Sequence, residues 1–186
     1  EKLIGFLVNR PLVNGFDKRI TKVFATKPSE LPKELKVKSE QLNWKNTLTN
    51  LSADKLAALS SVFLNAVDFS DNDFFPKDKT KSLIITQTLN EDGIIEHESE
   101  KIDICKDFVN QANTDIIYIK PHPREQTNYA EIFKNDKRIV VLPKLFPAEL
   151  LNTHPNLKFK KAFTAFSTAI DHLEQVDEKI KLGRDY

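Results

Sequence analysis

The second half of the chain alternates short apolar runs with polar, turn-rich segments. Ser82–Leu89 (SLIITQTL) reads as a buried strand, and Asp115–Lys120 (DIIYIK), Arg138–Leu142 (RIVVL) and Lys158–Phe166 read as further strands. Helices are predicted between and after them, at Ser99–Asn113, Tyr129–Lys134, Pro147–Asn152, with proline in its first turn, and Ser167–Leu173. The order is β-α-β-α-β-α-β-α, and alternation of that kind implies an α/β domain with a Rossmann-like parallel sheet flanked by helices.

The first half is less regular. Residues 2–8 (KLIGFLV) and, less sharply, 20–26 (ITKVFAT) read as strands. Lys27–Lys38 is rich in lysine, glutamate and proline and reads as a loop or linker. Ser52 is placed to cap a helix with Leu56, Leu59, Val62, Phe63 and Ala66 on one face. The polar stretch DFSDNDFFPKDKTK then marks a boundary near 70–80, giving an N-terminal region 1–76 and a C-terminal domain 77–186. No internal repeat or low-complexity tract is present.

Composition narrows the picture further. A chain of 186 residues suits one large domain, or one domain and part of a second, and can bury a core without staples. The formal net charge of +1 gives no bulk field favouring nucleic acid or membrane. Cys105 is the single cysteine, so no intrachain disulfide forms, which fits a reducing, cytoplasmic setting. No leader pattern and no apolar run of roughly 20 residues is seen. The chain has no methionine and starts at Glu1, as expected of a processed or trimmed piece.

Ligands of open parallel sheets bind outside the carboxyl ends of the strands. Chemistry is therefore expected in the segment just after each predicted strand. Those segments are Asn90–Gly93 (NEDG), Pro121–Glu125 (PHPRE), Pro143–Glu149 (PKLFPAE) and Ser167–Thr168 at a helix start. Prolines 121 and 123 stiffen their loop and hold His122 extended. Ser167 and Thr168 offer hydroxyls and N–H groups to an anion, and with a histidine nearby a phosphate is the natural guest. Glu91 or Asp92 could supply a general base, Lys120 charge or a base contact, and Glu149 a grip on a ribose.

These segments carry a resemblance. From about Ser82 to Ile170 the chain resembles the bacterial lipooligosaccharide sialyltransferases, glycosyltransferase family 52, and more distantly the bacterial polysialyltransferases. The shared motifs stand here as Glu91-Asp92-Gly93, His122-Pro123 and Ser167-Thr168, supported by KPHPRE and FPAELL. Each is weak alone; their order, spacing and common strand-end placement make the set specific. The resemblance implies a GT-B fold of two Rossmann-like domains, here with a short or incomplete N-terminal one. It implies a CMP-sialic acid donor and a galactose-type glycan acceptor, from lipooligosaccharide or capsule. It also implies inverting transfer without metal or other cofactor, and no nucleic-acid partner. A homodimer and a peripheral contact with the inner membrane stay open. By the same resemblance an acid of Glu91-Asp92 is the base, Glu91 favoured. His122 and Ser167-Thr168 would stabilise the departing phosphate, Gly93 and Pro123 of the motifs would help bind the substrate, and Lys120 and Glu149 would hold the cytidine.

Simpler readings stand beside these. His122 could be structural in a proline turn, and Glu91-Asp92-Gly93 an ordinary turn. Ser167 could be only a helix cap, with Thr168 a bystander; Glu149 could serve only its helix's first turn, and Lys120 could be a solvated strand end. Asp71-Asn72-Asp73 imitates a metal motif but reads as a solvated turn. His97, His154 and His172 read as surface or packing residues, Cys105 as buried and inert, Trp44 as core, and Lys158–Lys161 as a solvated strand edge. Two other functions compete: a glycosyltransferase using another nucleotide sugar, and a non-catalytic or truncated nucleotide-sugar-binding module.

Overall fold

The structure is a computed structural model. It describes residues 15–43, 46–47, 50–52, 54–55, 58–59, 62, 75–153 and 157–183. The predicted strand 2–8, Trp44, Leu56, Phe63, Ala66, Asp71–Asp73 and His154 lie outside those residues. The chain divides into two compact units, Glu1–Ser52 and Ala53–Tyr186. The expected boundary at 70–80 falls partly on residues outside the described ones.

In the first unit, β1 (Val23–Ala25) pairs in parallel with β2 (Ser39–Gln41). Between them lie a 3-10 turn at Pro28–Glu30 and the single-turn helix α1 (Lys33–Lys36), where a loop is expected from the sequence. Prolines 28 and 32 open these turns, a position where a missing N–H costs nothing.

The second unit is built on a parallel sheet of five strands, β3 (Lys81–Ile85), β4 (Ile116–Lys120), β5 (Ile139–Val141), β6 (Phe159–Thr164) and β7 (Val176–Lys181). Their spatial order is β5-β4-β3-β6-β7. The chain therefore runs outward on one side from β3, then returns to β6 on its other side, the doubly wound order with a switch point between β3 and β6. The parallel α/β architecture expected from the alternating pattern is what the chain adopts.

The central strands of the sheet are buried on both faces. β3 is buried at every residue, as a central parallel strand must be. Ile84, Ile117, Ile119 and Phe163 pack with Cys105, Phe108, Val109 and Ala112 of helix α2 (Glu98–Ala112). Alternate residues face the other way, where Tyr118 lies between Phe75 (centroids 5.3 Å apart) and Phe159 (6.0 Å). Helix α2 starts with the His97 N–H donating to Glu100 Oε1 (2.8 Å) and ends at Asn113, whose φ of 43° is left-handed. Helix α3 (Tyr129–Ile132) is a single turn.

Several expectations change. Pro147–Asn152 and Ser167–Leu173 are not α-helices: their segments form 3-10 helices at Ala148–Thr153 and Thr168–His172. Their turns close on the residue three back, the Leu150 N–H on the Pro147 carbonyl (3.1 Å) and the Leu173 N–H on that of Ile170 (3.3 Å), the tighter winding that suits short pieces. β7 is missing from the sequence reading because it is an edge strand with mostly exposed side chains, VDEKIK, and so shows no apolar run. Leu59 is half-buried but Val62, placed on the same apolar face, is exposed. Within the run Lys158–Lys161, Phe159 is buried while Lys158 and Lys160 are exposed. Among the described residues no helix is long and apolar enough to cross a membrane.

Candidate functional site

Register decides which loops meet. Ile85 pairs with Lys120 on one side and with Thr164 on the other. The carboxyl ends of β3, β4 and β6 are therefore level, and the chain leaves them side by side at Thr86, Pro121 and Ala165. β3 ends four residues before the expected Leu89, so Thr86–Leu89 belong to the loop and carry its polar contacts.

The acidic turn is the first part. The Asp92 N–H donates to the Thr88 carbonyl (2.9 Å) and the Gly93 N–H to that of Asn90 (3.1 Å). Gly93 has φ +68°, a left-handed conformation that L side chains rarely adopt, so glycine is the residue that takes it without strain. The turn sends its two carboxylates to different environments. Glu91 is 15% exposed; both its oxygens take the Lys101 ammonium (2.9 Å each), and Oε1 also takes the Gln126 N–H (3.0 Å). Burial pushes its carboxyl up, but Lys101 and Gln126 outweigh that and hold it below its ordinary value. Asp92 is 36% exposed. Its carboxylate takes the Thr88 hydroxyl (2.5 Å) and both ends of the Arg124 guanidinium (3.0 Å each). The Thr88 hydroxyl and then Arg124 hold it below the usual carboxylate range, and His122 adds to the attraction through space.

The His-Pro loop is the second part. Its hub is Glu125, only 2% exposed. Oε2 accepts from the His122 N–H (2.6 Å) and from the Thr86 hydroxyl; Oε1 accepts from the Tyr129 hydroxyl (2.8 Å) and lies 3.5 Å from the Lys101 ammonium. Lys101 thus stands between Glu91 and Glu125 and ties both loops to helix α2. The Arg124 N–H donates to His122 Nδ1 (3.2 Å), so in the neutral ring the proton sits on Nε2. A 2.5 Å bond from the Thr127 hydroxyl to Glu98 Oε1 fixes the loop's far end to the first turn of α2. A cavity of about 20 Å³ beneath, lined by Thr86, Gln87, Lys101, Cys105 and Tyr129 among others, has room for roughly one water.

The remaining candidates line neighbouring loops. Lys120 is 4% exposed, with its ammonium on the carbonyls of Pro121 and Lys144 (2.9 Å to the latter). Burial lowers it to about 8, against attraction from Glu125 and Glu149. Lys144 answers by donating to the Glu125 carbonyl (2.5 Å), so two lysines brace the His-Pro loop against the loop after β5. Glu149 is half-buried in its 3-10 turn, and Pro123 is exposed. Ser167 Oγ accepts from the Ala169 N–H (3.2 Å), a capping contact, and Thr168 is exposed. The segment that follows is a 3-10 helix of five residues, Thr168–His172, where an α-helix start is expected. The switch point itself is bridged by Gln87, whose Oε1 accepts from the Phe166 N–H (2.8 Å) and the Thr164 hydroxyl (3.3 Å).

Glu125, Lys101, Arg124, Thr86, Thr88 and Gln87 were not assigned roles from the sequence. Lys101 had a signal: it stands four residues before Cys105 and seven before Phe108, on the buried stripe of α2. A charge on an apolar stripe needs a buried partner. The others carried no such signal, since their roles depend on which loops the register brings together.

Doubly wound α/β domains bind ligands at the carboxyl edge of their sheet, and here that edge joins an acidic turn to a His-Pro turn. Residues 5–182 match the family model of glycosyltransferase family 52, and the chain belongs to that family. The match extends beyond the Ser82–Ile170 segment into the N-terminal residues, where no motif is visible. The chain is also similar to an uncharacterized protein of Haemophilus influenzae, 31% identical over 155 residues, which are 83% of this chain and 48% of that one. It spans about half the length of the curated relative it matches.

Proposed function

We propose that this chain is the donor-binding side of an inverting glycosyltransferase of GT-B type. In this reading it moves sialic acid from CMP-sialic acid to a galactose-type acceptor of lipooligosaccharide or capsule. The observation that carries the reading is the joining of Asp92 and the His122 loop through Arg124, Thr88 and the Lys101–Glu125 hub, at the switch-point edge of a parallel sheet. Membership of glycosyltransferase family 52 supports it.

The chemistry assigns the parts. The bond from the anomeric carbon to the phosphate oxygen breaks, its electron pair goes to the phosphate, and the sugar passes through an oxocarbenium-like state. The acceptor hydroxyl attacks the opposite face and gives its proton to a carboxylate. Of the two acids, Asp92 is assigned as base. Its partner Arg124 is exposed and replaceable, while Glu91 is held by the buried Lys101 ammonium, which would lose the nearer of its two carboxylates if Glu91 took a proton. His122 Nε2–H and the hydroxyls of Ser167 and Thr168 stabilise the charge growing on the phosphate, where fixed donors act most strongly. Lys120 and Glu149 lie toward the cytidine, with Lys120 acting through the loops it braces.

Incubation with CMP-sialic acid and lactose, following CMP release and product mass, tests this. Sialyl-lactose with matching CMP is the expected result. Turnover of a different nucleotide sugar would remove the sialic acid assignment, and CMP binding with no transfer to any acceptor would leave a binding module.

A further inference from the structure

Arg124 sits two residues beyond His122 on one rigid turn, and its own N–H caps His122 Nδ1. Its guanidinium is 65% exposed, yet it is engaged by Asp92, Nη1 to Oδ1 and Nη2 to Oδ2 at 3.0 Å each, with Nη2 also 3.3 Å from the Thr88 hydroxyl. An exposed pair of this kind contributes little to stability, so the fold does not depend on it. The planar fork that fits a carboxylate fits a phosphate equally well. A carboxylate gripped at both oxygens by a cation, and by a hydroxyl besides, is a poor proton acceptor.

We infer that Arg124 is a phosphate ligand that changes partners: its guanidinium leaves Asp92 for the phosphate of the nucleotide donor, and the freed carboxylate then faces the acceptor hydroxyl. This rests on the reading of the site given above. No covalent bond changes in the exchange; the Asp92 carboxylate takes a proton only later, from the acceptor. One consequence is order: the base is exposed only after the donor binds.

Calorimetric titration with CMP and with cytidine, which lacks the phosphate, tests the exchange. Arg124→Ala should weaken CMP by about 10- to 100-fold, the range for charge-assisted bonds, and leave cytidine unchanged. Asp92→Asn should tighten CMP about threefold, because the guanidinium is no longer contested. That gain should vanish when Asp92→Asn is made in the Arg124→Ala background. Equal CMP affinity in wild type and Arg124→Ala overturns the proposal. So does a gain that persists in the double variant, which would mean simple charge repulsion. A wild-type chain that binds neither CMP nor cytidine refutes the nucleotide reading itself, and the proposal with it.

Discussion

The backbone N–H of His122 donates to the buried carboxylate of Glu125 at 2.6 Å, so the histidine that the sequence singles out is placed by an acid three residues further on. The same carboxylate holds two hydroxyls and neighbours the ammonium of Lys101. The His-Pro turn is thus rigid because a charge network beneath it is complete, with the prolines only narrowing what the backbone can do.

Glu125→Gln should therefore cost stability. The amide turns one acceptor oxygen into a donor facing groups that already donate, and it removes one of the two charges that balance Lys101. Removing one partner of a buried pair costs about 3–5 kcal/mol, and urea unfolding should show a loss near the lower end because Glu91 still compensates Lys101. A loss below about 0.5 kcal/mol would mean that the hub does not bear on stability.

The two acids of the turn should separate. Asp92→Asn should keep the fold and lower transfer by about 10²–10⁴, the usual range for a general base. Glu91→Gln should lower the melting temperature, because Lys101 loses its nearer carboxylate. Single-turnover assays beside thermal melts give both numbers; the opposite pattern would return the base role to Glu91.

His122→Ala should lower the bound-state rate by about 10²–10³ with a much smaller change in donor affinity. The charge that Nε2–H stabilises is largest as the leaving bond breaks, and only such interactions raise the rate. Single-turnover kinetics with CMP-sialic acid separates the terms. An alanine variant that loses affinity alone makes His122 a binding residue.

Alkaline pH should expose two buried groups that pull in opposite directions. Burial lowers Lys120 to about 8 in the folded chain, so between about 8 and 10 the unfolded chain holds the extra proton and stability rises with pH. Burial raises the Cys105 thiol to about 12, with Glu125 adding to it. The unfolded thiol ionises near about 8.5 while the folded one does not, so this contribution falls with pH. Urea melts from pH 7.5 to about 10 should show a shallow net dependence in wild type, a steeper rise in Cys105→Ala and a fall in Lys120→Met. Parallel curves for all three would refute the assignment.

The sequence by itself determined the class of the fold. The apolar starts of SLIITQTL and DIIYIK mark buried strands, and their alternation with helical spacing leaves a parallel sheet as the way to bury both faces. It also marked the turns that hold Glu91, Asp92, His122 and Ser167 as candidates, because proline, acid-glycine and strand-end hydroxyls leave local marks. What tertiary structure alone decided was partnership. That Ile85 lies level with Lys120 and Thr164 is a matter of strand register, which brings the turns after β3 and β4 together. Only then does Asp92 meet Arg124, thirty-two positions away, or Thr86 meet Glu125 at thirty-nine. Burial had the same effect on Glu91 and Lys120. Their charges read as free in the sequence, but a buried charge must find a partner, and the fold supplied Lys101 to one and the carbonyls of Pro121 and Lys144 to the other.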